Sequence, residues 1–136
     1  MWIQNVSFDD IKKGNHRVSN NMMLIQIVDI DCKYPRALMD FDITRGYKFL
    51  DLEEKDTFTC TWDPKITRDQ ANGIMYDLLL AKARNMDVVV HCHMGVCRSG
   101  AVAEVGVMLG FEDAKNWRQP NLLVKKRLLD ILGWCY

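Results

Sequence analysis

Hydrophobic and polar residues change rhythm along this chain, and each change marks an element. Residues 22–29 (MMLIQIVD) are almost continuously apolar, the pattern of a strand covered on both faces. Residues 88–90, three valines, form a second run of that kind. Between these runs the signal is weaker. Residues 47–52 read as a short strand, and in residues 57–62 threonine alternates with Phe58, Cys60 and Trp62, the period of a half-buried strand or an extended edge. Residues 32–44 read as loop around Pro35. The first twenty residues are polar and turn-rich, and predict at most a short helix around residues 9–13.

Three helices follow from period and caps. Thr67 and Gln70 have capping-box spacing, and Ala71, Ile74, Met75, Leu78 and Leu79 then recur on one helical face. Residues 100–109 (GAVAEVGVML) predict a helix of small apolar residues, with Gly110 beyond its end. A last helix is expected from Pro120 and Asn121 to Leu132. Leu122, Leu123, Leu128, Leu129, Ile131 and Leu132 supply its buried side, and Lys125, Lys126 and Arg127 its solvated face. Strands alternating with helices imply an α/β fold with a mainly parallel central sheet flanked by helices. No repeat, low-complexity tract or linker divides residues 1–136, so one domain is expected.

Charge narrows the partners. Eighteen Lys and Arg balance eighteen Asp and Glu, which excludes binding to nucleic acid or anionic membrane driven by bulk charge. No apolar run is long enough to span a bilayer, and the first residues lack the pattern of a secretory signal. A cytoplasmic, monomeric protein with no membrane or nucleic-acid partner is expected. The five cysteines are odd in number and form no CxxC pair, which suits a reducing compartment. Cys32, Cys60 and Cys135 read as small buried residues; Cys92 and Cys97 belong to something else.

That is the segment His91–Ser99, spelling H-C-x5-R-S with Gly95 inside the loop. Lying between a buried strand and a helix, it brings loop N–H groups and a helix N-terminus around one point. A free thiol is only about 3% thiolate at neutral pH, and the N-terminus favours the anion of Cys92. Full ionisation would raise the nucleophile only about 30-fold, with intrinsic nucleophilicity falling as it does so. Most of the catalysis must therefore come from N–H donors and the planar fork of Arg98 acting on charge that develops on a substrate. Five intervening residues let Cys92 and Arg98 serve one tetrahedral oxyanion.

In these residues the chain resembles the cysteine-based phosphatases, and most of all the compact dual-specificity branch of the protein tyrosine phosphatase superfamily. The likeness is strongest over residues 88–103 (VVVHCHMGVCRSGAVA) and extends from about residue 47 to 132, including a terminal R-x-P-N before an apolar helix. H-C-x-x-G-x-x-R-S arises by chance in a chain this long on the order of once in 10⁵. The resemblance implies a protein tyrosine phosphatase-like fold and hydrolysis of phosphotyrosine, with phosphoserine or phosphothreonine as further substrates, through a phosphocysteine on Cys92. Arg98 would clamp the phosphate, and His93, Met94, Gly95, Val96 and Cys97 would line its pocket through their N–H groups. Ser99 would help the sulfur leave, and His91 would tune the site from just outside it.

The family also needs a general acid, an aspartate on a loop before the helix that precedes the cysteine strand. Asp63, in Trp62-Asp63-Pro64, is the first choice, with Asp56 and then Asp51 behind it. No cofactor or metal is implied. C-x4-C-R-S also resembles the loop of low-molecular-weight tyrosine phosphatases, which implies a protective disulfide between Cys92 and Cys97. The loop has no lysine, unlike phosphoinositide phosphatases, so phosphorylated protein or peptide is the expected substrate. Three other readings stay open: a phosphate-binding pseudophosphatase, an enzyme like the RNA 5′-triphosphatases, and a metal site built from His91, Cys92, His93 and Cys97.

Overall fold

The apolar runs become the middle of a sheet. A computed structural model describes residues 1–59 and 61–133. In chain order the elements are β1 (Trp2–Ser7), α1 (Phe8–Lys13), β2 (Met22–Val28), β3 (Ile43–Lys48), α2 (Arg68–Ala83), β4 (Asp87–Cys92), α3 (Arg98–Met108), β5 (Glu112–Asp113) and α4 (Leu122–Leu132). The sheet order is β3-β2-β4-β1-β5, and every pairing is parallel. The fold is α/β, a five-stranded parallel sheet between helices. β4 lies at the centre, with Gln26 opposite His91 on one side and Ser7 opposite Cys92 on the other.

Alternation along the strands sorts side chains to two unequal layers. Ile3, Met23, Ile25, Ile27, Val88 and Val90 face α2, α3 and α4 in the main core. Val6, Leu24 and Val89 face the other way, where Ile11 of α1, Ala37 and Phe41 cover them. The capping box of α2 forms as expected: the Thr67 hydroxyl accepts from Gln70 N–H at 3.1 Å, and Gln70 Oε1 accepts from Thr67 N–H at 2.9 Å. Among the described residues, no helix is long and apolar enough to cross a membrane.

Several expectations change. The polar N-terminus supplies β1, an interior strand. The strand expected at 47–52 lies earlier, over Ile43–Lys48, on the sheet edge where one face is exposed and the apolar run is short. Residues 57–59 and 61–62 form no strand; Phe58 and Trp62 are exposed, so their alternation answers to no buried face. Cys32 is exposed, because the loop after β2 runs over the surface. Cys60 and Cys135 lie outside the described residues. Leu79 and Leu122 are exposed, leaving narrower apolar stripes on α2 and α4 than expected.

Candidate active site

The loop of residues 93–97 leaves the end of β4 and turns into α3, and its carbonyl groups are tied outward. His93 C=O accepts from Phe8 N–H at 3.2 Å, and Val96 C=O from Gln119 N–H at 3.2 Å. The Asn5 side-chain amide donates to Gly95 C=O at 2.8 Å. Cys97 C=O accepts from Asn121 N–H and Ala101 N–H, both at 2.9 Å. Because a peptide unit is planar and trans, each outward carbonyl turns the next residue's N–H inward. Met94, Val96, Cys97 and Arg98 therefore present N–H groups to the inside of the loop, an anion-binding concavity.

Gly95 makes the curl possible on two counts. Its φ is +75°, which side chains disfavour, and a Cβ there would lie only 2.6 Å from the Val6 carbonyl oxygen. α3 then begins at Cys97 with no side-chain cap and no acidic residue in its first turn. The positive end of the helix dipole is left for whatever enters the loop.

Within this cradle the reactive groups converge. Cys92, buried at the end of β4, has its Sγ 3.1 Å from Ser99 Oγ. Arg98 is 4% exposed. Its Nη1 donates to Asp29 Oδ1 at 2.8 Å and to the Phe49 carbonyl at 2.7 Å. Its Nε is buried without a partner among the described residues. A buried donor lacking an acceptor costs roughly 1–3 kcal/mol, which an oxyanion in the loop would recover. The cleft measures about 280 Å³ and is lined by Asp29 and Asp51 together with Leu50 and loop residues around Cys92 and Arg98. These parts come from the carboxyl ends of β2, β3 and β4, where α/β sheets bind their ligands.

The expected site residues divide. Cys92, Arg98 and Ser99 come together, His93, Met94 and Cys97 line the cleft, and Gly95 and Val96 contribute backbone. Asp63 is exposed, accepts from Lys65 N–H at 2.9 Å, and is not among the cleft residues. Its sequence neighbours hold it in a local turn outside the cleft. Asp56 is likewise occupied locally, accepting from Glu53 N–H at 2.7 Å. Asp51, third in the sequence ranking, is the one that lines the cleft; its Oδ1 accepts from Asn121 Nδ2 at 2.7 Å.

His91 points away from the cleft, its Nε2 donating to Gln26 Oε1 at 3.2 Å and its ring edge-on to Phe8. Burial, with the Arg98 charge adding to it, holds the imidazole down to about 4 and therefore neutral at pH 7. The Cys97 thiol is pushed up by burial and then by the Asp51 carboxylate beside it. Cys92 and Cys97 are both free thiols. Among the described residues no group of three or more His, Cys, Asp or Glu is placed to hold a metal ion, and this includes His91, Cys92, His93 and Cys97.

Sequence reasoning missed Asp29, Asn5 and the side chain of Asn121. Asp29 follows β2 directly, so its place at a strand's carboxyl end was the available signal. A broader groove of about 720 Å³ runs beside the start of α4, past Glu53, Leu122 and Lys125, and contains none of the reactive groups. No family model matches the chain, and no curated protein matches it.

Proposed function

We propose that this protein is a cysteine-dependent phosphomonoester hydrolase with a protein tyrosine phosphatase-like fold, acting on phosphorylated protein or peptide. One observation carries the reading: Arg98, whose Nε is buried without a partner among the described residues, lines the same cleft as Cys92, beside a loop whose carbonyl groups are tied outward. A nucleophile beneath a ring of donors suits a group that is at once an electrophile and an oxyanion, which describes a phosphoryl group.

In the reaction the Cys92 thiolate attacks phosphorus and the ester P–O bond breaks. Loop N–H groups and Arg98 hold the non-bridging oxygens as charge gathers on them. Asp51 is the cleft carboxyl available to protonate the leaving oxygen, a step worth about 10²- to 10⁴-fold. In the second half-reaction water attacks phosphorus, Asp51 takes its proton, and the P–S bond breaks. The Ser99 hydroxyl, 3.1 Å from the sulfur, steadies the departing thiolate. Substrate charge is limited by the cleft itself. Arg98 is its only cation among the described residues, and Asp29 and Asp51 flank it. A single phosphate on a peptide fits that balance better than a polyphosphate or an inositol lipid.

The test is phosphate release from phosphotyrosine peptide, phosphoserine peptide, phosphoinositide and 5′-triphosphate RNA, with Cys92→Ser as the control. Release from a phosphopeptide that falls about 10⁴-fold or more in Cys92→Ser is the expected result. Binding without turnover would leave a phosphate-binding module in its place, and preference for either polyanion would overturn the substrate class.

A further inference from the structure

The start of α4 touches both halves of the proposed site through one residue. Asn121 is buried, with 2% of its surface exposed. Its Oδ1 caps α4 by accepting from Val124 N–H at 3.0 Å, while its backbone N–H holds the Cys97 carbonyl at 2.9 Å. That leaves Nδ2, which donates to Asp51 Oδ1 at 2.7 Å and to the Leu52 carbonyl at 3.1 Å. The neighbouring Glu53 completes the junction, its carboxylate accepting from Leu122 N–H at 3.1 Å and Leu123 N–H at 3.0 Å. The helix N-terminus thus gathers the loop that carries Asp51 and the loop that follows Cys92 onto one residue, the first by its side-chain amide and the second by its backbone N–H.

We infer that Asn121 is a positioning residue for the general acid: its Nδ2–H occupies Asp51 Oδ1, so that Oδ2 carries the proton and is set at a fixed distance from the phosphoryl loop. This rests on the phosphatase reading and on Asp51 as its acid. The chemistry follows from donor and acceptor counts. The carbonyl oxygen of a protonated carboxyl is a better acceptor than its hydroxyl oxygen, so an N–H on Oδ1 favours Oδ2 as the acidic site. The same residue anchors Cys97 C=O, so acid and anion loop are referred to one point. A carboxyl held this way needs no search at the moment of transfer, which is what orientation contributes to rate.

Serine separates this role from capping. In Asn121→Ser the hydroxyl can still cap α4, but no side-chain N–H remains to reach Asp51. Proton donation matters for a poor leaving group and little for a good one, so hydrolysis of phenyl phosphate and of 2,4-dinitrophenyl phosphate should respond differently. Expected for Asn121→Ser is a fall of about 10-fold or more in kcat on phenyl phosphate, within the range general-acid catalysis spans. On the dinitrophenyl ester the change should be about twofold or less, and the thermal midpoint should be kept. Asp51→Asn should show the same pattern more strongly, and the double variant should be no slower than Asp51→Asn alone, because Asn121 acts only through Asp51.

Equal losses on both esters, or losses that multiply in the double variant, would overturn the positioning role. A wild-type protein that hydrolyses neither ester, or whose turnover survives Cys92→Ser, brings down the phosphatase reading itself. A leaving-group pattern absent from Asp51→Asn but present in Asn121→Ser removes Asp51 as the acid and this role with it.

Discussion

Two buried charged side chains, Arg98 and Asp77, sit in different parts of the molecule and are treated in opposite ways. Asp77, on α2, is 2% exposed, and both its oxygens are taken. Oδ1 accepts from Arg45 Nε at 3.1 Å and Oδ2 accepts from the Tyr47 hydroxyl. Gly73 leaves room for the Tyr47 ring, since a Cβ there would lie 2.8 Å from the phenol oxygen. Burial and the Asp77 carboxylate together hold the Tyr47 phenol well above its usual range. This cluster pins the edge strand β3 to α2 and has nothing left over to bind. Arg98 is just as buried, yet its Nη1 is taken by Asp29 and Phe49 while its Nε has no partner among the described residues. A closed network stabilises a junction. One held open at a cleft spends stability on readiness for a ligand.

The sharpest way to break the contrast is Arg98→Lys. Lysine keeps the charge and most of the buried stem but loses Nε and the planar fork. Activity should fall by about 10²- to 10³-fold, the usual cost of one oxyanion donor, while the urea midpoint barely moves. A variant that unfolds readily yet turns over normally would make Arg98 a structural residue like Asp77.

A second effect belongs to the back of the same site. Unfolded, the His91 imidazole gains its proton below about pH 6.5; folded, burial with the Arg98 charge keeps it neutral down to about 4. The unfolded chain therefore binds more protons in that window, and stability falls as the pH drops from 6.5 to 4. The loss is about 3 kcal/mol. Asp77 slopes the other way, because burial raises its carboxyl pKa and the folded chain holds that proton more tightly. Urea melts across this range should show the acid limb in the wild type and a flatter one in His91→Gln; the same slope in both would assign the limb elsewhere.

The smallest effect is expected at the closed network. Asp77→Ala leaves the Tyr47 hydroxyl and Arg45 without their acceptor and should cost about 2 kcal/mol of stability, with kcat unchanged. A drop in kcat at full stability would show that the edge of the sheet reaches the cleft after all.

The same contrast explains what was readable in the sequence. β2, β4 and the capped α2 were legible because burial there is apolar and periodic, and the H-C-x5-R-S segment because its chemistry is local. β1 was not legible, since Asn5 is buried for its amide rather than its hydrophobicity and breaks the apolar pattern. β3 lies on an edge held by Tyr47, Arg45 and Asp77, polar groups whose partnership is written in two distant segments. The ranking of Asp63, Asp56 and Asp51 does not follow their distance from the cleft, and for the same reason. Its place in Trp62-Asp63-Pro64, just before α2, raised Asp63, whereas Asp51 in the cleft is held by Asn121, 70 residues away. Non-local polar contacts leave no periodic trace.

Asn5 and Asn121 hold the loop of residues 93–97 from the first strand and from the last helix described. The anion cradle can therefore exist only after widely separated stretches of chain have met, through parallel pairings that are slow to form. A growing chain that has already emerged through Cys92 carries its thiol without the frame that organises it. The loop is framed only once the chain through Asn121 has emerged and folded, and a partial unfolding that frees either asparagine would undo that frame before the core melts.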